Sequence, residues 1–419
     1  MSQVESPHSQ HNELLSYPVD HEADMLAMHQ TKTAKQHERW LKIKKLTSRV
    51  GSAALIGSAA ATTAAYVPIQ HDINLGKQEV ANSHPSVHEI HTTTDPEKQQ
   101  VATYIATGMG TRNSTETAQK LTAHHETGNV YAIEYSNREI EIYELTDVIV
   151  AHAREQGIKY LSFDGYSAGG PIELAIAAEI HERFDDLHIL SVTLNSSPIG
   201  EGSLTAQSNE GGQILGTVLQ YWPDLAYSKH ARLIAEVLAR NDQYYDDETK
   251  DIDIDALKFE IEAVKHEKIN NQQAASGSLI ASQINFIYRY LAERNIARLS
   301  KPINNKQPPL LFATYSSDPS ADQVVNNTVS AANVQQIVNE HFLALDIIHI
   351  DNIGHANPSE RPTEYNRAIF QFINPRIASV LRIDHHVGGE PRFGENMYIL
   401  PPKKQPPRLG ASIGTVPMN

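Results

Sequence analysis

The sequence predicts an α/β fold, in which a mostly parallel sheet carries helices on both faces and a helical segment is inserted between two strands. Two observations support this class. From Val101 onward, short apolar runs alternate with segments of helical periodicity, and repeated β-then-α units require a mostly parallel sheet. Between Gly200 and about Asn305 this alternation stops, and only helical patterns occur.

Six apolar runs are the predicted strands, and each is four to eight residues of the type that parallel sheets bury. In chain order they read VATYIAT, NVYAIEY, IKYLSF, LHILSVTL, PLLFATY and LDIIHI. A further candidate strand lies at Val87 to Thr93. The inserted segment has helical patterns in ARLIAEVLAR, IDALKFEIEAVKHE and SLIASQINFIYRYLAERN.

The composition excludes some classes of protein and of partner. The chain has 419 residues and no cysteine, and 35 Lys and Arg stand against 50 Asp and Glu, for a formal charge of −15. The missing cysteine excludes zinc-thiolate and disulfide-stapled classes. The acidic balance argues against nucleic acid as a partner, because nucleic-acid binding usually needs a basic face.

Changes in composition along the chain predict its domain boundaries. We expect a polar and then basic leader over residues 1–49, a candidate transmembrane or signal-anchor segment over 50–70, a linker with an edge strand over 71–98, an α/β domain over 99–383 that includes the helical insertion 200–305, and a Pro/Gly-rich tail over 384–419.

Residues 50–70 contain no charged residue and directly follow seven Lys and Arg in residues 25–49. Their length suffices for a transmembrane helix, although Ala, Gly, Ser and Thr dominate. A signal anchor here would associate the chain with a membrane and place the α/β domain outside the cytoplasm. Two alternatives stay open: a cleaved signal peptide, which implies secretion, and a cytoplasmic Ala-rich helix.

The strongest chemical motif is Gly165-Tyr166-Ser167-Ala168-Gly169. It directly follows the strand-like IKYLSFD and precedes a helical pattern, which is the strand–turn–helix context that a G-x-S-x-G nucleophile elbow requires. The flanking glycines leave room for a tight turn. We therefore predict Ser167 as a catalytic nucleophile.

A serine nucleophile needs a base, which a carboxylate in turn orients. His355 lies in a loop after the strand LDIIHI, and it is the predicted base. The acid should follow the preceding strand PLLFATY, where Asp318 and Asp322 both qualify. We favour Asp322 because the apolar pair Val324 and Val325 can dock its loop on the core.

Acyl transfer also requires backbone donors for the oxyanion. The N–H of Ala168, next to the nucleophile, is one predicted donor. The second is the N–H of Met109, in the glycine-containing loop that follows the strand VATYIAT. Two adjacent histidines elsewhere, His124 and His125, predict exposed side chains rather than a metal site, because neighbouring residues rarely face one metal together.

These motifs resemble the α/β-hydrolase superfamily, in its serine-nucleophile, esterase/lipase-like branch. The resemblance covers about residues 100–200 and 305–380, with the elbow GYSAGG, the acid loop SSDPSADQVV and the histidine loop GHANP in the family's order. It implies an α/β-hydrolase fold, no cofactor, and a helical cap formed by residues 200–305. The oxyanion loop departs from the family, since it reads Thr107-Gly108-Met109-Gly110 where many members have His-Gly.

The sequence therefore predicts a serine hydrolase that cleaves a small-molecule carboxylic ester or thioester through an acyl-enzyme, with no cofactor and no metal. Two alternatives remain: amide or peptide hydrolysis by the same triad, and a membrane-anchored binding module without turnover. The acyl preference and the oligomeric state are left open.

Overall fold

A seven-stranded sheet organises the residues that this computed structural model describes, which are 59–209, 221–246, 249–271, 273–289, 291–303, 306–341 and 343–385. Its strands are β1 Ser86–His91, β2 Val101–Ala106, β3 Asn129–Glu134, β4 Tyr160–Tyr166, β5 His188–Asn195, β6 Leu310–Ser316 and β7 Leu345–Ile350. Their order across the sheet is β1-β3-β2-β4-β5-β6-β7. Every neighbouring pair is parallel except β1 with β3, which is antiparallel. The predicted mostly parallel sheet is confirmed, and β1 is the edge strand expected near Val87.

Several helices accompany the sheet in the described residues. They are α1 Ala59–Ala81, α2 Thr115–Lys120, α3 Ile142–Glu155, α4 Gly169–Arg183, α5 Lys229–Ala239, α6 Ile254–Val264, α7 Gly277–Tyr288, α8 Ala292–Leu299, α9 Asn327–His341, α10 Pro362–Ala368 and α11 Asn374–His385. Helices α3, α4, α8 and α9 pack on one face, against side chains such as Tyr104 and Phe163. Helices α2, α10 and α11 pack on the other, against Val101 and Ile105. The alternation along β2 reflects the two-residue period of a strand.

The insertion between β5 and β6 is helical in its described residues, where α5 to α8 lie. Part of it has its own small core of Val237, Tyr244 and Val264. Helices α7 and α8 instead join the core on the α4 side of the sheet through Leu279, Ile296 and others. The insertion is therefore anchored to the α/β body by its last two helices.

None of the helices within the described ranges is both long enough and apolar enough to span a membrane. The predicted leader (1–49), the first nine residues of the candidate membrane segment (50–58) and nearly all of the predicted tail (386–419) lie outside the described residues. The membrane anchor and the localisation that it implies stay predictions. The remainder of the 50–70 segment lies in α1, which continues as far as Ala81.

Candidate active site

Ser167 lies in the turn that joins β4 to α4. Its φ is 52°, in the left-handed region, where a residue with a Cβ carries roughly 1–2 kcal/mol of strain. The turn is held by two backbone hydrogen bonds: Ser167 N donates to Asn195 O at 2.8 Å, and Gly170 N donates to Ser167 O at 3.2 Å. The strained serine is thus fixed at the carboxyl edge of the sheet.

The glycines of this turn are required by close packing. A Cβ on Gly165 would lie 2.6 Å from the Cα of Gly170 and 2.6 Å from Oε2 of Glu173. A Cβ on Gly169 would lie 2.7 Å from the backbone oxygen of Ala106, at the end of β2. All three distances are shorter than real Cβ contacts allow, so the elbow can bring the α4 N-terminus this close to the sheet only if positions 165 and 169 carry no side chain.

His355 reaches Ser167 from the loop after β7, across 188 positions in the chain. Its Nε2 lies 2.8 Å from Ser167 Oγ. The loop turns sharply at Ala356, whose φ is 41°, and Gly354 N donates to the Asn357 side chain at 3.1 Å. These contacts hold the imidazole facing the serine.

Asp322 lies on the far side of the imidazole. Its two carboxylate oxygens are 3.0 and 3.1 Å from His355 Nδ1, and its side chain is fully buried. The N–H groups of Val324 and Val325 donate to Oδ1 at 3.0 and 2.9 Å. The apolar pair that favoured Asp322 in the sequence therefore also holds its carboxylate through the backbone.

Asp318, the alternative acid, has a different role in the structure. It is exposed and accepts hydrogen bonds from the backbone N–H and the hydroxyl of Ser320, at 2.9 and 2.7 Å. These bonds lower the pKa of the Asp318 carboxyl below its ordinary value. The structure brings Asp322, and not Asp318, into contact with His355.

A strained serine elbow after a strand of a mostly parallel sheet, with the acid and histidine on the loops after later strands, is the arrangement of one fold. This chain has the α/β-hydrolase fold. The resemblance found in the sequence is confirmed at the level of the fold.

Comparisons with solved structures give several matches at low sequence identity. They include an esterase from Thermogutta terrifontis (11% identity, 70% of this chain and 93% of that chain covered, TM-score 0.42). They also include a carboxylesterase from Nitrososphaera gargenis (14%, 71% and 96%, TM-score 0.45) and a monoacylglycerol lipase from Paleococcus ferrophilus (15%, 70% and 99%, TM-score 0.41). No family model matches the sequence, and no curated protein matches it significantly.

The two predicted oxyanion donors lie near Ser167. One is the next residue in the chain, and the other lies in a loop that packs against the serine. Ala168 follows Ser167 in the chain and is fully buried at the start of α4. Met109 follows Gly108, which packs so tightly on Ser167 that a Cβ there would lie 2.7 Å from Ser167 Cβ and 3.2 Å from Ser167 Oγ. The loop that carries Met109 therefore runs directly beside the serine hydroxyl.

A cavity of about 660 Å³ opens over Ser167 and His355, which is within the usual size range of ligand pockets. Its lining includes the apolar residues Ile284 and Ile287 of α7 and the acidic residues Glu116 and Glu360.

A buried polar network beneath the elbow was missed in the sequence. His124 Nε2 lies 2.7 Å from Asp164 Oδ2, to which the hydroxyl of Tyr166 also donates at 3.1 Å. Asn195 donates to the other oxygen at 2.5 Å. The expectation of an exposed side chain is wrong for His124, which is 2% exposed, because its ring is the partner of a strand carboxylate. Asp164 in a buried strand was the available signal, since a buried carboxylate needs partners.

Glu173, in the first turns of α4, is a second buried acid near the elbow. It is fully buried, and burial raises the pKa of its carboxyl well above the ordinary value, with a smaller contribution from the nearby Asp164 carboxylate. Burial and the nearby Asp164 carboxylate thus both favour the neutral form of Glu173.

Proposed function

We propose that this chain is a serine hydrolase that cleaves a carboxylic ester or thioester through an acyl-enzyme intermediate. The observation that carries the proposal is the continuous hydrogen-bonded chain from Ser167 Oγ to His355 Nε2, at 2.8 Å, and from His355 Nδ1 to the buried carboxylate of Asp322, at 3.1 Å. These are the contacts that activate a serine hydroxyl at neutral pH.

The carboxylate decides which nitrogen of His355 carries the proton. Ionised Asp322 can only accept, so His355 Nδ1 carries hydrogen and Nε2 has a free lone pair. Nε2 then accepts the Ser167 proton as the hydroxyl attacks the carbonyl carbon, and the Asp322 carboxylate stabilises the imidazolium. The same proton is next given to the leaving alcohol or thiol, and a water molecule activated by His355 releases the acid.

The developing oxyanion is held by the backbone N–H groups of Ala168 and Met109 in this proposal. Ala168 lies at the N-terminus of α4, where free N–H groups and the helix dipole favour negative charge. Removing one such donor typically costs on the order of 10²–10³-fold in kcat. Neither donor needs a side chain, which fits the small and glycine-rich residues around the serine.

The cavity suggests how a substrate would lie. In the proposal, an acyl chain packs against Ile284 and Ile287, which line the cavity together with Ser167. The helical insertion then acts as a cap whose α7 helix contacts the acyl chain.

The test is labelling with a fluorophosphonate probe together with hydrolysis of p-nitrophenyl esters of two to eight acyl carbons. We expect the wild type to be labelled and to turn over these esters. Ser167→Ala should abolish labelling and reduce kcat by at least about 10⁴-fold, while thermal unfolding shows an intact fold. His355→Ala should reduce kcat similarly.

Matched p-nitroanilides separate the second candidate function, because the same three side chains can cleave amides. Turnover of anilides in preference to esters would replace ester hydrolysis by amide hydrolysis. A folded wild type that is neither labelled nor active would overturn catalysis and favour a binding module.

A further inference from the structure

Gln283 is a fully buried amide on an otherwise apolar helix face. It lies in the middle of α7, and its neighbours on that face include Leu279, Ile280, Ile284 and Ile287, all of which are buried. A buried carboxamide is costly unless its donors and acceptor are satisfied. Its partners therefore indicate why a polar residue occupies this position.

Among the described residues, the hydrogen-bond partners of Gln283 are backbone groups of the loop that carries Met109. Its side-chain oxygen accepts from Gly110 N at 3.1 Å, and its Nε2 donates to Gly108 O at 3.3 Å and to Thr111 O at 3.4 Å. The oxygen faces an N–H and the nitrogen faces two carbonyls, so the partners fix the orientation of the amide. One side chain from the insertion thus holds three residues of a four-residue loop segment.

The bond to Gly108 O bears directly on Met109, because the Gly108 carbonyl and the Met109 N–H belong to one peptide group. No cis peptide bond occurs in the part of the chain that the structure describes, and in a planar trans peptide the C=O and the N–H point in opposite directions. Holding the carbonyl from the α7 side therefore fixes the N–H toward the opposite side. A donor on the carbonyl also polarises the peptide and strengthens its N–H as a donor.

Backbone pairing adds to this hold. Ala275 N donates to Gly110 O at 3.0 Å, and Arg112 N donates to Gln273 O at 2.7 Å. Thr111 and Ala274 form an antiparallel bridge between these bonds. Two parts of the insertion therefore hydrogen-bond to the same loop: the segment just before α7 and the Gln283 side chain.

We propose that Gln283 is a positioning residue that aims the Met109 N–H at the oxyanion and so couples the helical insertion to catalysis. The inference rests on the proposed function for its catalytic consequence. Its structural part, the immobilisation of residues 108–111, stands on the hydrogen bonds alone. Gln283 acts through the loop and touches no reacting atom.

The first test compares Gln283→Leu with Ser282→Ala. Leucine is an apolar residue of roughly comparable size that neither donates nor accepts. Ser282 is the adjacent residue on α7, and its hydroxyl accepts from Ile140 N at 2.8 Å, away from the loop. For Gln283→Leu we expect kcat on p-nitrophenyl butyrate to fall roughly 10²-fold with KM within about threefold, whereas Ser282→Ala should change neither by more than about threefold.

A measurement that needs no activity accompanies the kinetics. Amide hydrogen exchange of residues 108–112 should be at least about tenfold faster in Gln283→Leu than in the wild type and in Ser282→Ala, because Gly110 N has lost its acceptor. Unchanged exchange overturns the immobilisation. Faster exchange with unchanged kcat overturns the catalytic role.

Gln283→Glu gives a pH-dependent test. The ionised form cannot donate to Gly108 O, but the neutral carboxylic acid has one O–H and can. Burial raises the pKa of such a carboxyl, so kcat of Gln283→Glu relative to the wild type should rise severalfold from pH 8.5 to pH 6. A purely structural role predicts a constant ratio. If the wild type has no Ser167-dependent turnover, the proposed function fails, and the exchange measurement still decides whether Gln283 holds the loop.

Discussion

The ammonium group of Lys306, which is 1% exposed, lies 2.8 Å from the backbone oxygen of His181 at the C-terminus of α4. It also donates to Phe184 O at 2.5 Å and to Ile180 O at 3.5 Å. The last carbonyls of a helix have no intrahelical partner, and a cation there complements the helix dipole. Lys306 thus caps the helix whose other end begins at the elbow.

Lys306→Met should lower the free energy of unfolding by about 2–4 kcal/mol, because buried carbonyl groups lose a charged donor. Urea denaturation measures this change. Lys301→Met is the matched control: its side chain is exposed, and we expect an effect within about 0.5 kcal/mol. Equal effects of the two substitutions would contradict a capping role for Lys306.

Asp322→Asn should reduce kcat on the order of 10³–10⁴-fold, since an amide at this position no longer selects the His355 tautomer with a free Nε2. Asp318→Asn should change kcat by less than about threefold, because the exposed Asp318 carboxylate accepts from Ser320 in its own turn, away from His355. Steady-state kinetics on one ester substrate compares the two. A larger loss in Asp318→Asn would reverse the assignment of the acid.

Gly108→Ala should reduce kcat by about 10²-fold or more, because the added methyl would lie 2.7 Å from Ser167 Cβ and must displace either the serine or the loop. Gly354→Ala, beside the histidine of the site, is the control. Its new Cβ would meet nothing closer than 3.5 Å, so kcat should stay within a few-fold of the wild type. Similar losses in both variants would show that the clash at Gly108 is not the cause.

Glu173→Gln should change how stability depends on pH. Because burial raises the pKa of Glu173 in the folded state, the folded chain keeps a proton that the unfolded chain loses above about pH 4.5. The contribution of Glu173 to stability is full below that pH and falls as pH rises toward the folded pKa, by up to ~1.4 kcal/mol per unit. Glutamine cannot titrate. The free energy of unfolding of the variant minus that of the wild type should therefore increase as pH rises from 5 to 8.

Glu182→Gln, on the same helix, is the control for that measurement. Hydrogen bonds from Arg298 lower the pKa of Glu182, so this carboxyl is ionised in both states above about pH 5.5. The stability difference between Glu182→Gln and the wild type should therefore be constant from pH 5.5 to pH 8. Urea midpoints across this range check both variants, and parallel profiles for Glu173→Gln and the wild type would show that Glu173 is already ionised in the fold.

The sheet and the three candidate catalytic side chains could be proposed from sequence because each depends on local signals. Apolar runs mark the strands. Ser167 lies in a motif whose flanking positions must be glycine because a side chain there would clash. The loops that carry Asp322 and His355 directly follow predicted strands. Parallel strands bring such loops to one edge, so chain order alone implies proximity.

Gln283 and His124 could not be found in this way, because their partners lie on elements that the sequence does not place in space. A glutamine on the apolar face of α7 indicates a buried polar contact, but periodicity cannot say that its partner is a loop more than 170 positions away. His124 similarly depends on how a short helical turn packs on β4. Helix and strand patterns predict which residues are buried. They do not predict which buried residues contact each other, because that depends on how the elements pack.

The separation of 188 positions between the serine and the imidazole has a consequence for synthesis on the ribosome. Ser167 emerges from the exit tunnel well before His355 has been translated, and β6 and β7 must still dock before the two can meet. A nascent chain that has completed only β1 to β5 therefore contains Ser167 without its imidazole partner. Under the proposed function, enzymatic turnover begins only after β7 has joined the sheet.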